Sequence, residues 1–253
     1  MISLIALEGI PEVSEGMDLG ELIAAAAERG GIGLSDADIL VVTQKVVSKA
    51  EGRVVALASV QPRPEAVAWA ERWGRDPRQV ELVLRESAEV VRMAEGGLII
   101  SRTRQGFVCA NAGVDLSNVG AVESATLLPV DPDASAARIR KRLGELTGAR
   151  PAVIVSDSFG RPWRNGIVNV AIGVAGMDAI SDLRGQPDAQ GRQMQATVVA
   201  MADQLASAAD LAGGKVGQTP VVLVRGFVSP AAGAEFGAGA AALVMPRAQD
   251  LFP

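Results

Sequence analysis

Ala152-Val-Ile-Val155-Ser156-Asp157-Ser158-Phe-Gly-Arg161-Pro-Trp-Arg164-Asn165-Gly166 begins as an unbroken apolar run and turns polar at Ser156. A short apolar run of this kind reads as a buried strand, here ending on a carboxylate. A second segment behaves alike: Ile39-Leu-Val-Val-Thr43 passes directly into Gln44-Lys45-Val-Val-Ser-Lys49. Around these two strands the pattern alternates. Ile2–Ala6, Ile167–Val174 and Pro220–Arg225 are strand-like, and short β-rich pieces fall at 90–93, 98–103 and 107–110. Helices are expected over Asp18–Arg29, Pro77–Val90, Ala134–Leu146, Met194–Leu211 and Ala231–Leu243. Asp18 is placed to cap the first, with Glu21 in the reciprocal position. Asp76 is placed to cap the second. Strands and helices mix without a strict βαβ period, which favours an α+β or irregular α/β fold over a doubly wound sheet. The chain reads as a single domain over 1–253, with its weakest point at Leu128-Pro-Val-Asp-Pro132, where two prolines punctuate it.

Composition narrows the chemistry. The 253 residues contain no histidine, no tyrosine and one cysteine, Cys109. Ser-His-Asp and Cys-His machinery, His-ligated zinc and an intrachain disulfide are thereby excluded. Cys109 reads as a small buried apolar residue. Carboxylate, lysine, arginine, hydroxyl and metal chemistry remain. The net charge of −5, with positive residues spread along the chain, disfavours a nucleic-acid partner. No apolar run approaches the roughly 20 residues that span a membrane. A cytoplasmic protein with no basic leader is the expectation.

Two polar stretches stand out in these apolar surroundings: Asn111-Ala-Gly-Val-Asp115-Leu-Ser-Asn118 and Ser156-Asp157-Ser158. Magnesium and manganese are commonly held by one or two carboxylates, with phosphates completing the shell. Asp157 closes a buried strand, where an unpaired carboxylate is costly, so it is read as a metal ligand. Asp115 is equally readable as a ligand or as a turn cap that bonds its own backbone. Lys45 and Lys49 share one helix face at i,i+4, suited to phosphate charge or simply to solvent. Arg161 and Arg164, around Pro162-Trp163, are either an anion clamp beside Asp157 or a pair of surface ion-pair partners. Gly213-Gly-Lys-Val-Gly-Gln218-Thr-Pro220 lacks the P-loop frame, and Gly31-Ile-Gly33 lacks the third glycine of a dinucleotide fingerprint. Any nucleotide site is of another kind.

Taken together, Gly9-Ile-Pro-Glu-Val13, Val42–Arg53, Ala112–Asn118, Leu128–Asp133 and Ser156–Gly166 resemble, in order, the coenzyme F-420:L-glutamate ligases, the gamma-glutamyl ligase family of deazaflavin cofactor biosynthesis. The resemblance implies a GTP-dependent ligase. GTP would phosphorylate the carboxylate of a deazaflavin precursor, and the amine of L-glutamate would displace the phosphate. It further implies a fold of two interwoven α+β lobes, magnesium or manganese as two ions, a potassium ion, and a homodimer. Asp115, Asp157 and Ser158 match metal ligands. Ile10, Pro11, Glu12, Val13, Gln44, Lys45, Lys49 and Asn118 match nucleotide-contacting positions. The loop of Gly213, Gly214, Lys215, Val216, Gly217, Gln218 and Thr219 would close over the nucleotide, with a second-metal contact at Gly214. Asp157, Arg161 and Arg164 are the expected catalytic residues. The chain departs from the family pattern at Gln193 and Gln204, where a glutamate is expected, and no fused nitroreductase-like domain is expected. A metal-dependent nucleotide hydrolase or phosphotransferase, and a non-catalytic nucleotide-binding protein, are the alternatives.

Overall fold

A computed structural model describes residues 1–116, 123–214, 219–228 and 237–250. In chain order the elements are β1 (Ser3–Ala6), α1 (Leu19–Arg29), β2 (Ile39–Thr43), α2 (Gln44–Ala50), β3 (Val54–Ala56), α3 (Pro64–Trp73), α4 (Pro77–Glu86), β4 (Ser87–Met93), β5 (Ile99–Thr103) and β6 (Val108–Ala110). There follow β7 (Ser124–Thr126), α5 (Pro132–Thr147), β8 (Ala152–Arg161), β9 (Arg164–Ala175), β10 (Ser181–Asp182), β11 (Val198–Val199), α6 (Met201–Gly213) and β12 (Val221–Arg225). The main sheet runs β1-β12-β2-β8-β9. Only β2 and β8 run parallel within it, Thr43 opposite Ser156, and the other pairings are antiparallel. The fold is therefore α+β with mixed sheets, as the irregular alternation implied.

Both faces of this sheet are covered, which explains why its strands are apolar throughout rather than alternating. Leu40, Val42, Val153, Val155 and Leu223 point to α1 and α5, meeting Ile23, Ala27, Ile139 and Leu143. Ile39, Val41, Ile154, Val222 and Val224 point the other way, to Ala202, Leu205, Ala206 and Ala209 of α6. A third apolar cluster lies outside the sheet. It joins Ala66 and Ala70 of α3, Val80 and Val83 of α4, Ile99, Val114 and Ala125, and comes wholly from the segment between α2 and α5. Leu127 still belongs to this cluster, and Leu128, at the proline-marked point, packs with the first.

Local chemistry fixes the boundaries. The Asp18 carboxylate accepts the Glu21 amide at 3.1 Å and the Asp76 carboxylate accepts the Arg78 amide at 2.8 Å. Each satisfies an orphan donor of a helix start. Glu21 does not return the bond, because its carboxylate pairs with Arg142 of α5 instead. Four expectations change. The helix from Pro77 ends at Glu86, and 87–93 is strand β4. The helix expected from Met194 begins at Met201, after the short strand β11. The helix α3 was not expected. Of the helix expected over Ala231–Leu243, 231–236 lie outside the described residues, and 239–243 form a 3-10 turn. Among the described residues no helix is long and apolar enough to cross a membrane.

Candidate active site

The parallel pair β2–β8 ends where β2 finishes, Thr43 opposite Ser156. β8 does not stop at Asp157, as its sequence suggested, but runs on to Arg161 paired with β9. A cavity of about 430 Å³ opens at the point where β2 ends. Open α/β sheets present their ligand crevices at the carboxyl ends of such strands. The wall comprises Thr43, Gln44 and Lys45 from the β2–α2 junction and Ser156, Asp157 and Ser158 from β8. Asn169 of β9, Asp210 and Gly214 from the end of α6, and Asp115 add further polar groups, with Ala110, Gly113, Val114 and Ile167 between them.

Asp115 is placed by its backbone. Its amide donates to the Thr126 carbonyl at 2.9 Å and its carbonyl accepts the Thr126 amide at 2.8 Å, pinning it to β7. The chain enters through Asn111, Ala112 and Gly113, with φ of 52°, 51° and 70°. Left-handed backbone at two consecutive non-glycine residues costs on the order of 1–2 kcal/mol each, and such strain clusters at functional sites. The turn aims the Asp115 carboxylate at Lys45, whose ammonium lies 2.7 Å from Oδ2. One helical turn on, Lys49 pairs with Glu12 of the Ile10–Val13 segment. The two lysines thus tie α2 to two other resemblance-matched segments, those holding Glu12 and Asp115.

Asp157 follows the last buried residue of β8, and its Oδ1 accepts the Ser158 amide at 2.8 Å. The Ser158 hydroxyl donates to Asn169 Oδ1 at 2.7 Å, and Asn169 Nδ2 donates to Asp210 Oδ1 at 3.1 Å. Cys109, one residue before the lining Ala110, has its thiol pushed up to about 12 by burial and then by the Asp157 charge. It is protonated at neutral pH and is no nucleophile. Gly214 turns the chain out of α6 at φ 65°, its amide bonded to the Asp210 carbonyl.

The expected site residues do not all meet here. Asp115, Asp157, Ser158, Gly214, Lys45 and Gln44 line the cavity. The Gln44 side chain is committed to the core, donating to Ser48 and to the Leu127 carbonyl at 3.2 Å. Ile10 packs on the core, Val13 is buried within it, and Pro11 and Glu12 are exposed. Gly213 ends α6 and Thr219 precedes β12, while Asn118, Lys215, Val216, Gly217 and Gln218 lie outside the described residues. Arg161 and Arg164 stand at the β8–β9 hairpin tip, outside the cavity lining. Arg161 is four residues beyond Asp157, roughly 13 Å along an extended strand. Gln193 and Gln204 are exposed and also lie outside the lining. Sequence reading missed Asp210 and Asn169. A signal for Asp210 was present: a carboxylate in the last turn of a helix opposes the macrodipole and calls for another reason to be there.

All donors here are oxygens, the set that suits a hard cation such as magnesium or manganese. Among the described residues no three acidic side chains converge on one point. An ion would therefore take one or two carboxylates, hydroxyl and amide oxygens, and ligand oxygens, as phosphate-bound magnesium does. The residues fit such an ion.

Residues 9–226 match the family model described as F420-0:Gamma-glutamyl ligase. The chain is 47% identical over 252 residues to coenzyme F420:L-glutamate ligase of Methanothermobacter thermautotrophicus, covering 99% of this chain and 98% of that protein. It is 44% identical to the protein of the same name from Methanopyrus kandleri, covering 97% and 96%, and 41% identical to that of Methanocaldococcus jannaschii, covering 94% and 91%. The chain belongs to the F420-0:gamma-glutamyl ligase family.

Proposed function

We propose that the chain is a GTP-dependent ligase that attaches L-glutamate to the carboxylate of the coenzyme F420 precursor. The observation that carries this reading is the gathering of the Asp115, Asp157 and Ser158 oxygens with the Lys45 ammonium in one cavity where β2 ends beside β8, in a chain of this family. In the first step a carboxylate oxygen attacks the γ-phosphorus of GTP and the bond to the bridging oxygen breaks, giving an acyl phosphate and GDP. In the second the glutamate amine attacks the acyl carbon, phosphate departs with the carbon–oxygen pair, and the nitrogen loses a proton.

Both steps need positioning and charge neutralisation more than a titrating base, which suits a site without histidine. Lys45 and Lys49 supply positive charge along one side of α2, and Gly214, at the start of the glycine-rich stretch, lines the cavity. Asp115, Asp157 and Ser158 would hold two divalent ions, magnesium or manganese with potassium alongside, which supply charge neutralisation at the phosphates. A homodimer is part of the proposal. It is supported by the β8–β9 arm, where Trp163 is 84% and Ile167 is 56% exposed and Ile167 also lines the cavity.

The test incubates purified protein with GTP, manganese, L-glutamate and the deazaflavin precursor and weighs the products. Glutamyl mass increments with matching GDP are expected. GDP release without an increment would overturn the ligase reading.

A further inference from the structure

A second cavity, of about 790 Å³, lies toward the other end of β9. Its strand wall includes Ala175, six residues beyond the Asn169 that lines the Asp157 cavity, roughly 20 Å along an extended strand. The facing wall is one side of α5, where Asp133, Ala137, Arg140 and Lys141 recur at helical spacing. Asp133 joins the walls, its Oδ1 accepting the Val174 amide at 2.7 Å and the Ala240 amide at 2.9 Å. Arg150, from the segment between α5 and β8, closes the cationic side.

Three cations thus line this cavity against one carboxylate, in a chain whose net charge is −5. Two of them are seated by glycines. The Arg140 stem lies over Gly176, at φ 84°, where an added Cβ would meet its Cδ at 2.9 Å. The Arg150 stem lies back on Gly144, one turn beyond Arg140 on α5, where a Cβ would meet its Cγ at 2.8 Å. Among the described residues neither guanidinium pairs with a carboxylate, and Lys141 reaches only Glu145, at 3.9 Å. The Arg140 Nε–H is enclosed and meets no acceptor among the described residues. An enclosed charged donor of this kind is costly and calls for a reason.

We propose that this cavity is a second binding site, for a small oxyanion carrying two or more phosphate or carboxylate groups. A guanidinium matches the paired oxygens of either group with two parallel N–H donors, which an ammonium cannot do. Arg140 and Arg150 grip the anion, and Lys141, 81% exposed, adds a point charge at the mouth. Ala134, Ala137 and Val174 keep the remaining wall small and apolar, and the volume suits a molecule of metabolite size. The Asp133 charge is partly offset by the two amides on its Oδ1. The site is independent of the ligase chemistry.

The experiment titrates pyrophosphate, and separately citrate, into the whole protein without divalent ions, by calorimetry at two salt concentrations. Saturable binding is expected, weakening as salt rises. Binding of pyrophosphate alone identifies the phosphate group, of citrate alone the carboxylate, and of both a general oxyanion site. Arg140→Met, which keeps a stem on Gly176, should raise the dissociation constant about tenfold or more, because a charge-assisted pair is lost. Arg140→Lys should recover part of that loss. Lys45→Met, in the other cavity, should leave the constant within about twofold. Should Arg140→Met fail to fold, Ala137→Glu takes its place: its carboxylate stands at i,i+3 and i,i+4 from Arg140 and Lys141, competes with the anion, and should weaken binding similarly. No saturable binding of either anion would overturn the proposal. So would a constant unchanged by Arg140→Met or Ala137→Glu, or a loss that follows Lys45→Met instead, which would put the anion in the Asp157 cavity.

Discussion

Asp157 and Asp115 show how much a single carboxylate can disclose before any coordinates exist. Each stands where a polar group interrupts an apolar stretch, and each lines the cavity. Asp157→Asn removes charge but not volume. Turnover should fall by at least about 100-fold, on the scale seen when a charge-stabilising group is lost, with the thermal midpoint within a few degrees of the parent. Near-normal ligation would refute the assignment. Gln44 is the opposite case. It lines the cavity, but its side chain is buried and bonded to Ser48 and Leu127. Gln44→Leu should therefore cost stability, about 1–3 kcal/mol by denaturant titration, because it strands the Leu127 carbonyl. Asn169 and Asp210 were illegible for a physical reason. They are brought together by a strand and a helix, 41 positions apart in the chain, and no local pattern encodes that meeting.

At the scale of elements, the strands carrying the site were readable because burial on both faces leaves an unbroken apolar signature. Helix ends were readable where a cap exists, as at Asp18 and Asp76, and misread where the boundary is set by tertiary pairing. Met194-Gln-Ala196 favours a helix, but the β-branched run Thr197-Val-Val199 favours a strand, and Val198 and Val199 pair with Asp182 and Ser181. Contact between elements sets further limits. Gly173 lies in β9 where α5 starts, and a Cβ there would sit 2.3 Å from the Pro132 carbonyl oxygen. Backbone on both sides leaves little room to yield, so Gly173→Ala should destabilise by about 1–3 kcal/mol, the usual range for overpacking, seen as a lowered denaturation midpoint. In the segment between α2 and α5, Glu81 of α4 is 3% exposed and bonds Arg63, at the start of α3, through its amide and guanidinium, as well as Arg85. Glu81→Gln leaves two arginines facing a neutral amide. About 3 kcal/mol is expected, the low end for a broken buried pair, because both arginines are about half exposed.

For the whole molecule, the missing histidines make the pH dependence of stability unusually simple to predict. No side chain with an ordinary value between about 5 and 8 is present. Cys109 is displaced upward to about 12 by burial and the Asp157 charge, out of that window. Two opposing groups of carboxyls remain. Burial alone would raise Glu81 and Asp38, but Arg63 and Arg85 hold Glu81 down to about 2, and Arg225 with Ser35 holds Asp38 below its usual value. Their contribution is complete above the ordinary carboxylate range and is lost as pH falls through their folded values. The half-buried Asp203 is raised by burial, against the Ala171 amide that lowers it. Its folded form holds the proton more tightly than the unfolded chain, so its contribution is present at low pH and lost as pH rises through the folded value. Stability should thus be level from about pH 6 or 7 to 8 and fall on strong acidification. Asp203 supplies a shallow opposing slope just above the ordinary carboxylate range. Urea midpoints measured from pH 8 to 2 test this. Glu81→Gln should flatten the acid limb, and Asp203→Asn, whose amide oxygen can still accept the Ala171 amide, should remove the shallow slope while leaving the acid limb in place. A steep change between pH 6 and 8 in the unaltered protein would contradict this account, because no described side chain is placed to produce it.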